Sequence, residues 1–173
     1  MVSINDIVSV PTTTRYAVVV GFIEHGRRNL AVLHYICATT GEKMECPDRE
    51  RCNHANTCPI HGLNVDANSL EAWNERDVTF YVSEGMLSPE LARKALAPTI
   101  EIARLTSHKY RVRMAKNGQN IRMLCVTGDN NNDRWQDAIA LTNNTEPFGF
   151  IKLTNPDTDD YKNFAALFET ATV

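Results

Sequence analysis

Hydrophobic and polar positions along the chain alternate between two periods, and each stretch points to an element. Tyr16-Ala-Val-Val-Val-Gly-Phe-Ile23 is a run of β-branched and aromatic residues of strand length, which predicts a buried strand. Glu24-His-Gly-Arg-Arg28 predicts the turn after it, and Asn29–Cys37 predicts its partner strand. Thr40-Gly41-Glu42 predicts a second tight turn, leading into a short strand at Lys43–Glu45. Asn68-Ser-Leu-Glu71 has the form of a capping box, with Asn68 as the cap of a short helix running through Trp73. Val78-Thr-Phe-Tyr-Val82 predicts another strand. Ser88-Pro89-Glu90 opens a helix by cap, first-turn proline and early acid together, and Pro98 closes it.

The second half continues in the same way. Tyr110–Ala115 and Asn120–Thr127 flank Lys116-Asn-Gly-Gln119, and Asn-Gly between alternating runs predicts a hairpin. Trp135, Ala138 and Ile139 share a helix face after Asp133, and Phe148–Leu153 predicts a short strand. Tyr161, Phe164, Ala165 and Phe168 line one side of a last helix, entered through Asp159 and Asp160, whose charges suit a helix N-terminus. The elements add up to an α+β fold: a mainly antiparallel sheet, three or four short helices and one irregular cysteine-rich loop. At 173 residues, with no repeat and no Ser/Gly-rich linker, the chain is expected to be a single domain over 1–173.

Charge changes this picture in one place. The net charge is only −3, which gives no bulk attraction to nucleic acid. Between Ile102 and Gly128, however, there is no Asp or Glu, while Arg104, Lys109, Arg111, Arg113, Lys116 and Arg122 supply six positive charges. Strand alternation puts Lys109, Arg111 and Arg113 on one face of the hairpin and Tyr110, Val112 and Met114 on the other. Arg122 joins the basic face if the register of the second strand allows it. A ribbon carrying these residues suits phosphate contacts or a major groove of RNA or DNA, and the same pattern suits the solvated outer face of a half-buried sheet. No stretch approaches the ~20 apolar residues that cross a bilayer, and the first residues lack the pattern of a signal peptide. The expectation is an intracellular, cytoplasmic protein with no membrane partner. In that setting the sequon Asn143-Asn-Thr145 carries no meaning.

The strongest chemical signal is Cys46-Pro-Asp-Arg-Glu-Arg-Cys52-Asn-His54-Ala-Asn-Thr-Cys58-Pro-Ile-His61. Three of the five cysteines and two of the five histidines fall in this segment, whose other residues are too polar to make a core. Zinc takes four thiolate or imidazole ligands in a tetrahedron, and short spacers let one loop wrap the ion. Cys46, Cys52 and Cys58 are expected to be ligands. The fourth is His61 or His54, and His61 is favoured because Cys-Pro-Ile-His has the form of a ligand knuckle. Cys37, at the other end of the Thr-Thr-Gly turn from Cys46, is the outside alternative to these ligands. With all four positions filled by protein, the ion is structural.

The spacing C-x5-C-x5-C-x2-H resembles a CCCH zinc finger, particularly the short type of polyadenosine-binding proteins. That type also has five residues between its first cysteines and a similar ending. The resemblance covers residues 46–61, with two residues rather than three before His61 and without the aromatic residues such fingers stack on bases. It implies a bound zinc and, less directly, RNA.

Other features carry less. Gly128-Asp129-Asn-Asn-Asn-Asp133 echoes a calcium loop but has Arg134 and Ala140 where that loop needs Gly and Glu, so a polar turn is expected. His25, beside Arg27 and Arg28, is expected to be a turn residue; His34 lies in a strand and His108 in a loop. Cys125, inside a strand, is expected to be a buried small hydrophobe. Phosphate-loop, dinucleotide, nucleophile-elbow and zinc-protease motifs are absent, and no catalytic residue can be nominated. The expected function is therefore a zinc-stabilised, non-catalytic nucleic-acid-binding or regulatory protein. The alternative is a protein-interaction or assembly subunit whose zinc loop is purely structural.

Overall fold

The computed structural model describes residues 1–45, 60, 62–106, 109–116, 119–127 and 150–170. Within them the fold is α+β and mainly antiparallel, as expected, with two four-stranded sheets. By its contacts the chain divides into two compact units, Met1–Leu96 and Ala97–Val173. Each has its own sheet and its own apolar clusters.

In the first unit, β1 (Ile7–Ser9), β2 (Tyr16–His25), β3 (Arg28–Tyr35) and β4 (Leu63–Asp66) form a sheet in that order. Val8, Ala17, Val19, Leu33 and Tyr35 pack on one face with Val2, Val10 and Leu70. Ile7, Tyr16, Val18 and Ile36 pack on the other with Val78 of α1 (Glu75–Ser83) and Ala92 and Ala95 of α2 (Pro89–Leu96). Burial on both faces is why Tyr16–Val19 is a continuous apolar run and not an alternating one. The β2–β3 turn is the two residues Gly26-Arg27, with Gly26 at φ +63, as a type II′ hairpin requires at its first central position.

Two expectations in this unit are corrected. Val78–Val82 is helical, within α1. Asn74 caps that helix, its Oδ1 accepting from the Asp77 N–H at 2.9 Å, and Glu75 and Asp77 sit in the first turn. Val78, Tyr81 and Val82 then recur at helical spacing toward the core, so cap and period override the strand preference of the residue types. The expected helix from Asn68 to Trp73 is a single 3-10 turn, Ala67–Ser69, capped by Asp66, whose Oδ1 accepts from Asn68 N–H at 2.9 Å. The chain then extends, because Ala72 bridges to Val8 and the Trp73 N–H donates to the Ile7 carbonyl at 2.8 Å.

The Thr40-Gly41-Glu42 turn packs against the start of α2. Ser88 N–H donates to the Gly41 carbonyl at 2.8 Å, and Gly41 has φ +70. A Cβ there would stand 2.9 Å from the backbone of Leu87 and Ser88. Gly41→Ala should therefore combine left-handed strain with a clash against rigid backbone and cost about 3 kcal/mol. A drop in the denaturant midpoint without a change in slope is the expected readout; an unchanged midpoint would show that the turn yields freely.

The second unit orders its strands β7-β6-β5-β8, all antiparallel: β5 (Thr99–Thr106), β6 (Lys109–Lys116), β7 (Gln119–Thr127) and β8 (Phe150–Leu153). The helix α3 (Asp159–Thr170) covers one face. Ile100, Ile102, Tyr110, Val112, Ile151 and Leu153 meet Tyr161, Phe164 and Phe168 there. Burial pushes the Tyr161 hydroxyl up from its ordinary pKa, and it donates to the Pro98 carbonyl at 2.7 Å. The hairpin, the last helix and β8 appear where the sequence placed them, whereas β5 had no sequence assignment. The cysteine segment, the turn at Asn117-Gly118, the polar loop from Gly128, the helix face of Trp135 and the sequon all lie outside the described residues.

Candidate functional site

Alternation on β6 divides the hairpin as expected. Lys109 and Arg111 are exposed, Tyr110 and Val112 are buried under α3, and Arg113 is half-buried on the open side. Because paired residues of an antiparallel sheet share a face, the neighbours of these cations can be read from the register. One row crosses the sheet as Met123, Arg113, Glu101 and Lys152; the next holds Cys125, Arg111 and Ala103. The open face thus gathers Lys109, Arg111, Arg113 and the exposed Lys152, with Glu101 as the acid among them.

Arg113 is not free to meet a ligand. Its Nε donates to Glu101 Oε2 at 2.7 Å and its Nη2 donates to the same oxygen. The Glu101 side chain is only 16% exposed, so this pair is better shielded than a surface ion pair. Among the described residues, Lys109, Arg111 and Lys152 make no such pair. Met123 and Leu105, exposed by 52% and 49%, are large apolar side chains beside the cations, and Ile121 at the β7 bulge is exposed by 54%.

Arg122 does not join this face. From the turn, Lys116 pairs with Gln119 and Ala115 with Asn120, but Met114 then pairs with Arg122, so Ile121 is an extra residue in β7. Without that bulge Arg122 would oppose Arg113. With it, Arg122 moves to the helix-covered face, where its guanidinium lies 5.5 Å from the centroid of the Phe168 ring. Lys152 takes the vacant role, and the sequence offered no signal for it, since nothing local says that β8 pairs with β5. Cys125 is also corrected: it is exposed, on the open face opposite Arg111.

Cys46, Cys52, Cys58, His54 and His61 lie outside the described residues, but both flanks of their segment are described. On the N-terminal side Met44 N–H donates to the Tyr35 carbonyl at 2.8 Å, and on the C-terminal side Leu63 pairs with Leu33. One strand, β3, therefore holds both ends of the segment. Gly62 has φ +139, and its missing Cβ would come within 2.8 Å of Val32 Cγ1 and 3.5 Å of His34 Nε2, a close approach open only to glycine. Cys37 stands at this stem, its N–H donating to the Glu42 carbonyl at 2.7 Å. The backbone N–H of Thr40, then that of Thr39, and both threonine hydroxyls hold its thiol below the ordinary range.

Among the described residues, no three His, Cys, Asp or Glu are grouped to hold a metal, and no helix is long and apolar enough to cross a membrane. Comparison with known proteins found no matching family model, no matching curated protein and no matching solved structure. The structure defines an α+β protein with two antiparallel sheets, one of which has a face that no helix covers among the described residues.

Proposed function

We propose that this protein is a zinc-stabilised, non-catalytic nucleic-acid-binding or regulatory protein of the cytoplasm. The observation that supports the nucleic-acid reading is the exposure of Lys109, Arg111 and Lys152 together on the sheet face opposite α3. Three cations there, with Arg113 already neutralised by Glu101, give a positive surface on a chain that is acidic overall. Zinc is proposed on the chemistry of the donor set: three thiols and an imidazole from His61, or from His54, suit a closed tetrahedral site. Its role would be to order a segment too polar to order itself, between two ends already held by β3.

A second reading rests on Met123 and Leu105, whose exposure beside paired and unpaired charges also suits a protein partner. Salt dependence separates the two. If phosphates are bound, log affinity should fall linearly with log salt, by about 0.7 to 0.9 per contact. Changing Lys109, Arg111 and Lys152 together to Ser should abolish binding to labelled oligonucleotides and leave the melting temperature unchanged, since these side chains are solvent-exposed. Wild-type protein that shows no salt-dependent binding to any RNA or DNA at about micromolar concentration overturns the reading in favour of a protein partner.

A further inference from the structure

Resting on that reading, we propose that the ligand of the open face is a single strand of nucleic acid, laid along β6, and that Glu101 weakens its binding by occupying Arg113. The sequence alone allowed a two-stranded ribbon inserted into a duplex groove. The topology removes that option, because β6 is hydrogen-bonded to β5 on one side and β7 on the other, and β8 continues the sheet. Four strands span about 14 Å between outer backbones before any side chain is counted. The major groove is about 12 Å wide and admits a helix or a two-stranded ribbon. Lys109 and Arg111 stand in the interior of a surface too broad to enter it.

An extended single strand fits the same surface. Lys109, Arg111 and Arg113 follow one another at about 7 Å along β6, twice the rise per residue of an antiparallel strand. That step is comparable to the distance between successive phosphates of an extended, unstacked chain. The positions flanking β6 on this face include Met123 and Cys125 on one side and, besides Glu101, Ala103 on the other, with Leu105 exposed at the β5 bulge. Bases turned away from the phosphates would meet these apolar side chains, whereas a duplex keeps its bases stacked inside and offers only phosphate. Within this face Glu101 is the one carboxylate among the described residues, between Arg113 and Lys152 in the same row. It offers Arg113 the kind of contact a phosphate would, so ligand and carboxylate compete for one guanidinium.

The test uses the full chain and fluorescently labelled oligonucleotides: an unstructured single strand of about 15 nucleotides, as RNA and as DNA, and the matching duplex. Wild-type protein should bind the single strand at least about 10-fold tighter than the duplex. Three phosphate contacts imply a roughly 20-fold loss of single-strand affinity over a fourfold rise in salt. Glu101→Gln keeps the side-chain shape, frees Arg113, and should raise that salt response to about 50-fold while tightening binding at low salt. Combining Arg113→Gln with Glu101→Gln should return the salt response to about 20-fold, because the guanidinium that supplied the extra phosphate contact is gone. Circular dichroism and melting temperature establish that each variant is folded. Equal or tighter duplex binding, still abolished by the Lys109, Arg111 and Lys152 changes, overturns the single-strand proposal and leaves nucleic-acid binding standing. Unchanged binding in folded Glu101→Gln overturns the role of Glu101. Failure of every oligonucleotide to bind sinks the underlying reading itself.

Discussion

Protein purified without added metal should carry one zinc per chain, and Cys52→Ser should lose it. Cys52 is the middle thiol of C-x5-C-x5-C-x2-H, and a serine hydroxyl is a poor substitute for a thiolate ligand. Structural zinc in small fingers contributes roughly 10–16 kcal/mol of apparent binding free energy, much of which appears as folding energy. Between Cys46 and His61 the residues are mostly Pro, Asp, Asn, Arg and Glu, so no apolar burial replaces that contribution. The effect should reach β4, which pairs with β3 through only four residues, Leu63–Asp66, directly after the segment. Elemental analysis reads the metal; amide exchange at Leu63–Asp66 reads the consequence, with protection lost in the variant or in strong chelator. A folded, metal-free protein whose melting temperature ignores the chelator would remove zinc from the account. His61→Ala against His54→Ala decides the fourth ligand, since the variant that loses metal names it.

Phe164→Ala should destabilise the second unit by about 3–5 kcal/mol, the usual cost of removing a buried phenyl ring from a packed core. Phe164 is 2% exposed and meets Tyr110 edge-on, with centroids 6.2 Å apart and planes at 70°. It joins α3 to the face built by Ile100, Ile102 and Val112, so its loss opens a cavity at the centre of the cluster. Since the first unit has clusters of its own, amide exchange should accelerate through β5 to β8 while β1 to β3 keep their protection. Uniform acceleration across both halves would show instead that the chain unfolds as one cooperative body. Binding to nucleic acid should fall with the population of folded second unit, which distinguishes this variant from the surface changes at Lys109 and Arg111.

The sequence by itself determined the elements whose signals are local. Ser88-Pro89-Glu90, the paired runs Tyr110–Ala115 and Asn120–Thr127, the apolar run Tyr16–Ile23 and the face Tyr161, Phe164, Phe168 each specify their element within a few residues, and each element is present. It also determined the α+β class and the basic face of Lys109, Arg111 and Arg113, because strand alternation is a local rule. Tertiary structure decided what local rules leave degenerate. Val78–Val82 has strand composition, and only the Asn74 cap with a core on the Val78 side makes it helix. Thr99–Thr106 alternates through Ile100 and Ile102 but is interrupted by the bulge at Leu105, so its place beside β6 emerges only from pairing. The site was divided the same way. Strand faces repeat every two residues, and one extra residue inverts everything beyond it. Ile121 is that residue, and it sends Arg122 to the ring of Phe168. Lys152 and Glu101, far from Arg113 in sequence, enter the basic face because β5 and β8 pair in register, a choice made by the shared core beneath them.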